Sequence, residues 1–168
     1  MGRPGVAWVV ILDRAIAARV LADRARRLPL DADITTRPAA GDRLALLAVR
    51  GPRFVTDAIF VGTAEVLRDD GDSLAMRHRV LAPQGHTTAL AALRPLRCSA
   101  GWTHDALGAL RGSVVRSSAG DHRRIEAALL ADARAYGPAP KRPRHRRPRT
   151  PGRRALLAGR AAAGWRLG

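Results

Sequence analysis

The sequence predicts an α+β domain built on a small mixed sheet or barrel, and three observations lead to that prediction. An apolar run at residues 6–12 is followed at once by a helical pattern, as expected for a buried strand and the helix after it. Turn signals then separate several short strand-like runs, which indicates neighbouring strands in a sheet. A second amphipathic helix follows these runs, so strands and helices are mixed within one unit.

The N-terminal run, residues 6–12, is entirely apolar and rich in valine, which predicts a strand buried on both faces. Asp13 directly after it can cap a helix, because its carboxylate accepts backbone N–H groups of the first turn. The helical pattern continues to about Leu28. Pro29 is expected to end this helix, because proline lacks the N–H that the helical ladder needs.

The middle of the chain alternates turn signals with strand patterns. A turn at residues 40–43 precedes a strand at 44–49, and a longer strand follows at 58–66. Gly62 inside that strand indicates a bulge or a close approach of another backbone. Residues 74–81 alternate apolar and basic side chains, which predicts a strand with one face in water.

The last part of the body contains shorter patterns and one long helix. We expect a short helix at residues 88–93, an irregular stretch at 97–110 and a short strand at 114–115. A capping-box pattern that begins at Ser118 then predicts a helix that runs to Tyr136.

Charge divides the chain into two regions. The formal net charge is +16, and residues 138–168 hold ten basic side chains and no acidic one. Prolines interrupt this basic segment, which is typical of a disordered tail. We therefore predict a folded domain at residues 1–137 and a basic Pro/Arg-rich tail at 138–168. A GC-rich genome also favours arginine and alanine codons, so codon bias is a second explanation of the arginine excess.

Several function classes find no support in the motifs. No Gly-rich phosphate loop follows a strand, and the five histidines lack metal-ligand spacing. The single cysteine, Cys98, excludes an intramolecular disulfide and has no neighbour that would activate it. No apolar run approaches the ~18 residues of a spanning helix, and the start lacks a signal cleavage site. We expect a cytoplasmic protein that is not an enzyme and has no cofactor or metal.

Two tryptophans are candidates for contact with a nucleobase. Trp102 lies in a Gly/Ser/Thr-rich loop between Arg97 and Arg111, which suits stacking on a flat base with phosphate contacts outside. An equally good explanation is that Trp102 covers an open end of the sheet. Trp8 lies in the apolar first strand, where core packing is favoured over contact with a base.

The order of these features resembles the PUA-like superfamily and, within it, the EVE-type domains, which are similar to YTH and ASCH modules. The resemblance covers residues 6–134. It rests on the first strand with its capped helix, the turn before the second strand, the glycine-containing strand, the arginine-bearing strand, the loop tryptophan and the closing segment, at residues 7–11, 38–43, 58–66, 76–80, 102 and 110–133.

The resemblance implies a pseudo-barrel of about five strands with helices at its rim and a cleft that binds RNA or modified bases. The aromatic cage of that family has only Trp8 and Trp102 as counterparts here. On this basis we predict a non-enzymatic nucleic-acid-binding module that recognises an unpaired or modified base, in RNA or DNA. The predicted contact residues are Trp8, Arg77, Arg79, Arg97, Trp102, Arg111, Lys141, Arg142, Arg144, Arg146 and Arg147.

A second hypothesis belongs to a different function class. In it the chain is a protein–protein or membrane-surface adaptor with a degenerate PUA-like fold. Its basic tail would then rest on anionic lipid through Leu156, Leu157, Trp165 and Leu167. Gly159 and Gly164 weaken this hypothesis, because glycine opposes a stable amphipathic helix.

Overall fold

A computed structural model describes residues 5–31, 33–49, 58–83, 88–93, 95–100, 102 and 112–137. Within these ranges the chain forms seven strands and three α-helices, together with one 3-10 turn at Arg97–Ser99. The elements in chain order are β1 (Ala7–Leu12), α1 (Arg14–Asp23), β2 (Arg27–Pro29), β3 (Arg43–Val49), β4 (Ala58–Asp69), β5 (Ser73–Leu81), β6 (Thr88–Ala89), α2 (Leu90–Leu93), β7 (Val114–Ser117) and α3 (Ala119–Tyr136).

The strands form one mixed sheet in the order β2-β5-β4-β3-β1-β7, and β6 also pairs with β4. β1 and β3 are parallel, while the other pairs are antiparallel. The sheet curls into a half-barrel, so the α+β class predicted from the sequence is confirmed. Five of the seven described strands have four residues or more, and the remaining two, β2 and β6, are short.

The sheet separates two apolar clusters, because successive residues of a strand point to opposite faces. Val10 on β1 belongs to the cluster that also contains Val20 of α1. Val9, one position earlier, belongs to the cluster that contains Ile125 and Leu129 of α3. Helix α1 therefore packs on one face of the sheet and helix α3 on the other, which explains why every residue of β1 is buried.

The prediction that the first helix runs to Leu28 is wrong, because α1 ends at Asp23. Arg24 has a φ of 49°, the left-handed conformation that terminates a helix. Leu28 then pairs with Leu74 in the antiparallel β2–β5 ladder and is completely buried. Sheet pairing and burial of Leu28 thus outweigh the local helical pattern.

The predicted short helix at residues 88–93 is also corrected at its start. Thr88 and Ala89 form β6, with Thr88 opposite Phe60 of β4, so that α2 contains only Leu90–Leu93. The Thr88 hydroxyl donates a 2.6 Å hydrogen bond to Asp132 of α3. This contact with a distant carboxylate keeps Thr88 at the sheet.

Gly62 has both features that the sequence indicated. The β3–β4 register shifts at this point, since Leu46 lies opposite Gly62 and Leu47 lies opposite Phe60. A Cβ atom on Gly62 would lie 2.7 Å from the carbonyl oxygen of Val80. Glycine is therefore required here by the close approach of β5.

The closing helix begins and ends as predicted. The Ser118 hydroxyl accepts a hydrogen bond from the backbone N–H of Asp121 at 3.0 Å, and α3 continues to Tyr136. No helix in the part of the chain that the structure describes is long and apolar enough to cross a membrane. The predicted tail at residues 138–168 lies outside the described residues.

Candidate nucleic-acid interface

Five of the predicted contact residues lie within the described part of the chain and six lie outside it. Trp8, Arg77, Arg79, Arg97 and Trp102 are described. Those outside the described residues are Arg111, Lys141, Arg142, Arg144, Arg146 and Arg147. Their contact with nucleic acid stays a prediction.

Trp8 is part of the core. Its side chain is 5 % exposed, and its indole Nε1 donates a 2.8 Å hydrogen bond to Oδ2 of the buried Asp42. The guanidinium carbon of Arg116, on the neighbouring strand β7, lies 5.9 Å from the ring centroid. These contacts favour the core-packing explanation of Trp8.

Arg77 and Arg79 lie on β5 and are both paired with carboxylates. Arg77 donates a 2.9 Å hydrogen bond to Glu65, and Arg79 lies 3.5 Å from Glu126 of α3. The hydrogen bond from Arg77 lowers the pKa of the Glu65 carboxyl. Each pair is partly exposed, so a phosphate would have to compete with a carboxylate for the same guanidinium group.

Arg97 and Trp102 belong to one turn segment. Arg97 begins the 3-10 turn, and the backbone N–H of Trp102 donates to the carbonyl of Ser99 at 3.1 Å. The Trp102 side chain is half-buried and packs against the apolar cluster beneath α3. Its ring therefore joins the core to the surface, and stacking on a base stays a prediction.

A groove of about 540 Å³ lies where α3 begins, and we name it the α3-start groove. Three guanidinium groups surround it, on Arg97, Arg123 and Arg124. The remaining residues that line it are Pro95, Ser118, Gly120 and Asp121. Sequence reasoning missed Arg123 and Arg124, although a pair of arginines in the second turn of a capped helix was a visible signal.

The one carboxylate among the described lining residues is bound by backbone amides. Asp121 accepts a 3.0 Å hydrogen bond from the N–H of Cys98. Burial raises the pKa of Asp121, but the hydrogen bonds from the backbone of Cys98 and Arg97 outweigh that effect, and the pKa lies below its usual value. Asp121 is thus charged at neutral pH and attaches the 3-10 turn to α3.

The arginines of the α3-start groove differ in how they are held. Arg124 donates to the carbonyl oxygens of Pro95 at 2.7 Å and Leu93 at 2.8 Å, which fixes its guanidinium group. No described carboxylate lies within 4.0 Å of the guanidinium nitrogens of Arg97 or Arg123. The groove is therefore surrounded by the anchored charge of Arg124 and by two positive charges that have no carboxylate partner in the described part of the chain.

A different cleft, of about 260 Å³, lies between β1, the start of α1 and the segment after β2. The carboxylates of Asp13 and Asp31 line it together with apolar side chains. Asp13 also caps α1, because Oδ1 accepts from the N–H of Ile16 at 2.8 Å. Two negative charges make this cleft unsuitable for a phosphate group.

Cys98 is the single cysteine of the chain and is partly buried. Burial raises the pKa of the Cys98 thiol to about 11, so the nucleophilic thiolate is scarce at neutral pH. Among the residues that the structure describes, no three His, Cys, Asp or Glu side chains are grouped closely enough to hold a metal ion.

No family model matches the sequence, and no curated protein has significant sequence similarity to it. The fold is similar to the crystal structure of ASCH from Zymomonas mobilis, with a TM-score of 0.51 and 11 % sequence identity. The match covers 72 % of this chain and 94 % of that chain. The likeness is one of fold, and it supports the fold class predicted from the sequence, a mixed curled sheet with helices packed against it.

Proposed function

We propose that this chain is a non-enzymatic nucleic-acid-binding module that holds backbone phosphates in the α3-start groove. One observation carries the proposal: Arg97 and Arg123 are unpaired among the described residues, and the only described carboxylate in the groove, Asp121, is bound by backbone amides. Guanidinium groups bind phosphate oxygens in a bidentate geometry, which makes arginine a preferred phosphate ligand.

The arrangement of the groove favours phosphate binding at this place over nonspecific attraction to positive charge elsewhere on the surface. The N-terminal end of α3 carries a partial positive charge that adds to the three guanidinium groups. Arg124 is fixed by two carbonyl oxygens, so less side-chain freedom is lost when it meets an anion. Arg77 and Arg79 are weaker candidates, because Glu65 and Glu126 already neutralise them.

Trp102 is the candidate for contact with a base. Trp102 follows the 3-10 turn that carries Arg97, so a strand whose phosphates occupy the groove would bring a base near the indole. Stacking on an aromatic ring contributes about 1–3 kcal/mol per base, while extrusion from a duplex requires a few kcal/mol. We therefore propose a preference for unpaired bases.

The test compares glutamine variants of the groove with a matched control on the same helix. Arg97→Gln and Arg123→Gln should each weaken binding to a fluorescent single-stranded oligonucleotide. Each should also reduce the slope of log K against log[salt] by about 0.7 for the phosphate contact that is lost. Arg134→Gln changes an exposed arginine in the last turn of α3, far from the groove along the helix, and should leave both quantities unchanged.

The outcome separates the proposal from the adaptor hypothesis. Equal losses for Arg97→Gln, Arg123→Gln and Arg134→Gln would mean that charge alone matters and would contradict a specific groove. Sedimentation with anionic vesicles at the same salt concentration, without oligonucleotide binding, would favour the membrane-surface adaptor instead.

A further inference from the structure

A cleft of about 370 Å³ lies between α1 and the sheet, on the face opposite α3. Ala17, Ala18 and Leu21 of α1 form its helical wall, and Ala48 and Val49 of β3 continue it on the sheet side. Ile59 and Val61 of β4 complete the sheet side. Its volume lies within the range of small-molecule sites, which is about 300–1,000 Å³.

Small side chains keep this cleft open. Three of the residues that line it are alanines, two on the helix and one on the sheet, and these methyl groups fill less of the space than longer side chains would. The sheet wall carries only aliphatic side chains. A slot with aliphatic side chains on the sheet side and two alanines on the helix side has room for an apolar ring.

Arg14 gives the cleft a charged end. It is the one charged residue among the described side chains that line the cleft, and it occupies the first position of α1. No described carboxylate lies within 4.0 Å of its guanidinium nitrogens, and the nearby Asp13 carboxylate caps the helix through Ile16. The positive end of the α1 dipole adds to the charge of Arg14.

We propose that this cleft binds a small amphipathic anion, with a flat apolar ring in the slot and a carboxylate or phosphate group on Arg14. The proposal goes beyond nucleic-acid binding, because the α3-start groove belongs to the other face of the sheet. Charge complementarity at Arg14 selects an anionic ligand, and the aliphatic walls select an apolar ring.

The probes for the full chain are 2-naphthoate and its neutral analogue 2-naphthylmethanol, titrated by isothermal calorimetry. The carboxylate should bind saturably at one site, and about tenfold more tightly than the alcohol, because a charge-assisted hydrogen bond is stronger than a neutral one. Arg14→Gln should remove that difference, whereas Arg19→Gln, an exposed arginine on the same helix outside the cleft, should preserve it.

A second pair of variants tests the slot itself. Ala18→Phe places a ring in the cleft mouth and should abolish binding of both probes, while Ala15→Phe, at an exposed position outside the cleft, should not. Melting temperatures report whether each variant is folded. The proposal is wrong if naphthoate does not bind, if Ala18→Phe binds it normally, or if Arg14→Gln still prefers the carboxylate.

Discussion

Trp8 of β1 donates its indole N–H to Asp42, the residue immediately before the parallel strand β3, over a distance of 2.8 Å. The same carboxylate accepts backbone N–H groups from Val6 at 2.7 Å and Ala39 at 3.0 Å. Asp42 is 6 % exposed, so water cannot replace these bonds easily. One buried carboxylate thus ties the turn before β3 to the start of β1.

Asp42→Ala should strongly destabilise the fold, because three buried or partly buried donors lose their acceptor. Each unsatisfied donor costs about 1–3 kcal/mol, so we expect a loss of about 3 kcal/mol or more in the free energy of unfolding by urea. Trp8→Phe removes one donor and part of the ring and should have a smaller effect, about 1–2 kcal/mol. A change below about 1 kcal/mol for Asp42→Ala would contradict this role.

His122→Leu should reduce the dependence of the free energy of unfolding on pH. His122 is completely buried on α3, and neither ring nitrogen has a hydrogen-bond partner among the described residues. Burial lowers its pKa, and the nearby charges of Arg43 and Arg79 lower it further against the opposing effect of Glu126. The folded protein therefore resists protonation of this ring.

The sign of the effect follows from linkage. In the unfolded chain His122 titrates near its usual pKa of about 6.5, whereas the folded state takes up the proton only at lower pH. The free energy of unfolding should therefore fall as the pH decreases below about 6.5. Urea unfolding at pH 7.5 and at pH 5.5 should show this loss in the parent protein and a smaller loss in His122→Leu. Equal losses in both proteins would show that His122 does not contribute.

Gly62→Ala and Gly120→Ala should change stability in opposite directions. The new Cβ at Gly62 would lie 2.7 Å from the Val80 carbonyl oxygen, a contact that requires the strands to move apart. Overpacking of this kind costs about 1–3 kcal/mol. The nearest atom to a Cβ at Gly120 is the Ser118 hydroxyl at 3.6 Å, and alanine is the better helix former. Thermal unfolding of the two variants should give a lower Tm for Gly62→Ala and an unchanged or higher Tm for Gly120→Ala.

Trp102→Ala should distinguish stacking from packing when affinity and stability are measured on the same protein. If Trp102 stacks on a base, affinity for a single-stranded oligonucleotide should fall by about tenfold to a hundredfold, which corresponds to ~1–3 kcal/mol. The salt dependence should remain, because no phosphate contact is lost. A variant that melts much lower yet binds normally when folded would show that Trp102 only covers the end of the sheet.

Patterns with several residues of regular periodicity were sufficient to predict the longer elements. The buried strand β1, the bulged strand β4 and the capped helix α3 each follow from local sequence. The short strand β2 did not, because three residues carry too little pattern and its identity depends on pairing with β5. The predicted helix α1 was too long for the same reason, because the residues assigned to its end form β2.

The candidate site was also only partly predictable from the sequence, because some of its features depend on near neighbours and others on contacts between distant residues. Sequence alone identified an excess of positive charge, a loop tryptophan beside Arg97 and the absence of familiar catalytic motifs. It could not show that Arg79 would be neutralised by Glu126, 47 positions away, while Arg123 would have no carboxylate within 4.0 Å among the described residues.

The sequence by itself therefore determined the class of the fold, the longer strands and helices and the sign of the charge, since these depend on composition and on periodicity between near neighbours. Only the tertiary structure decided which arginines remain available to an anion. Asp121 joins the turn that carries Arg97 to the helix that carries Arg123, through a hydrogen bond to Cys98 that spans 23 positions. Such a contact depends on the folded path of the chain, because residues far apart in sequence meet only when the sheet and its helices have packed.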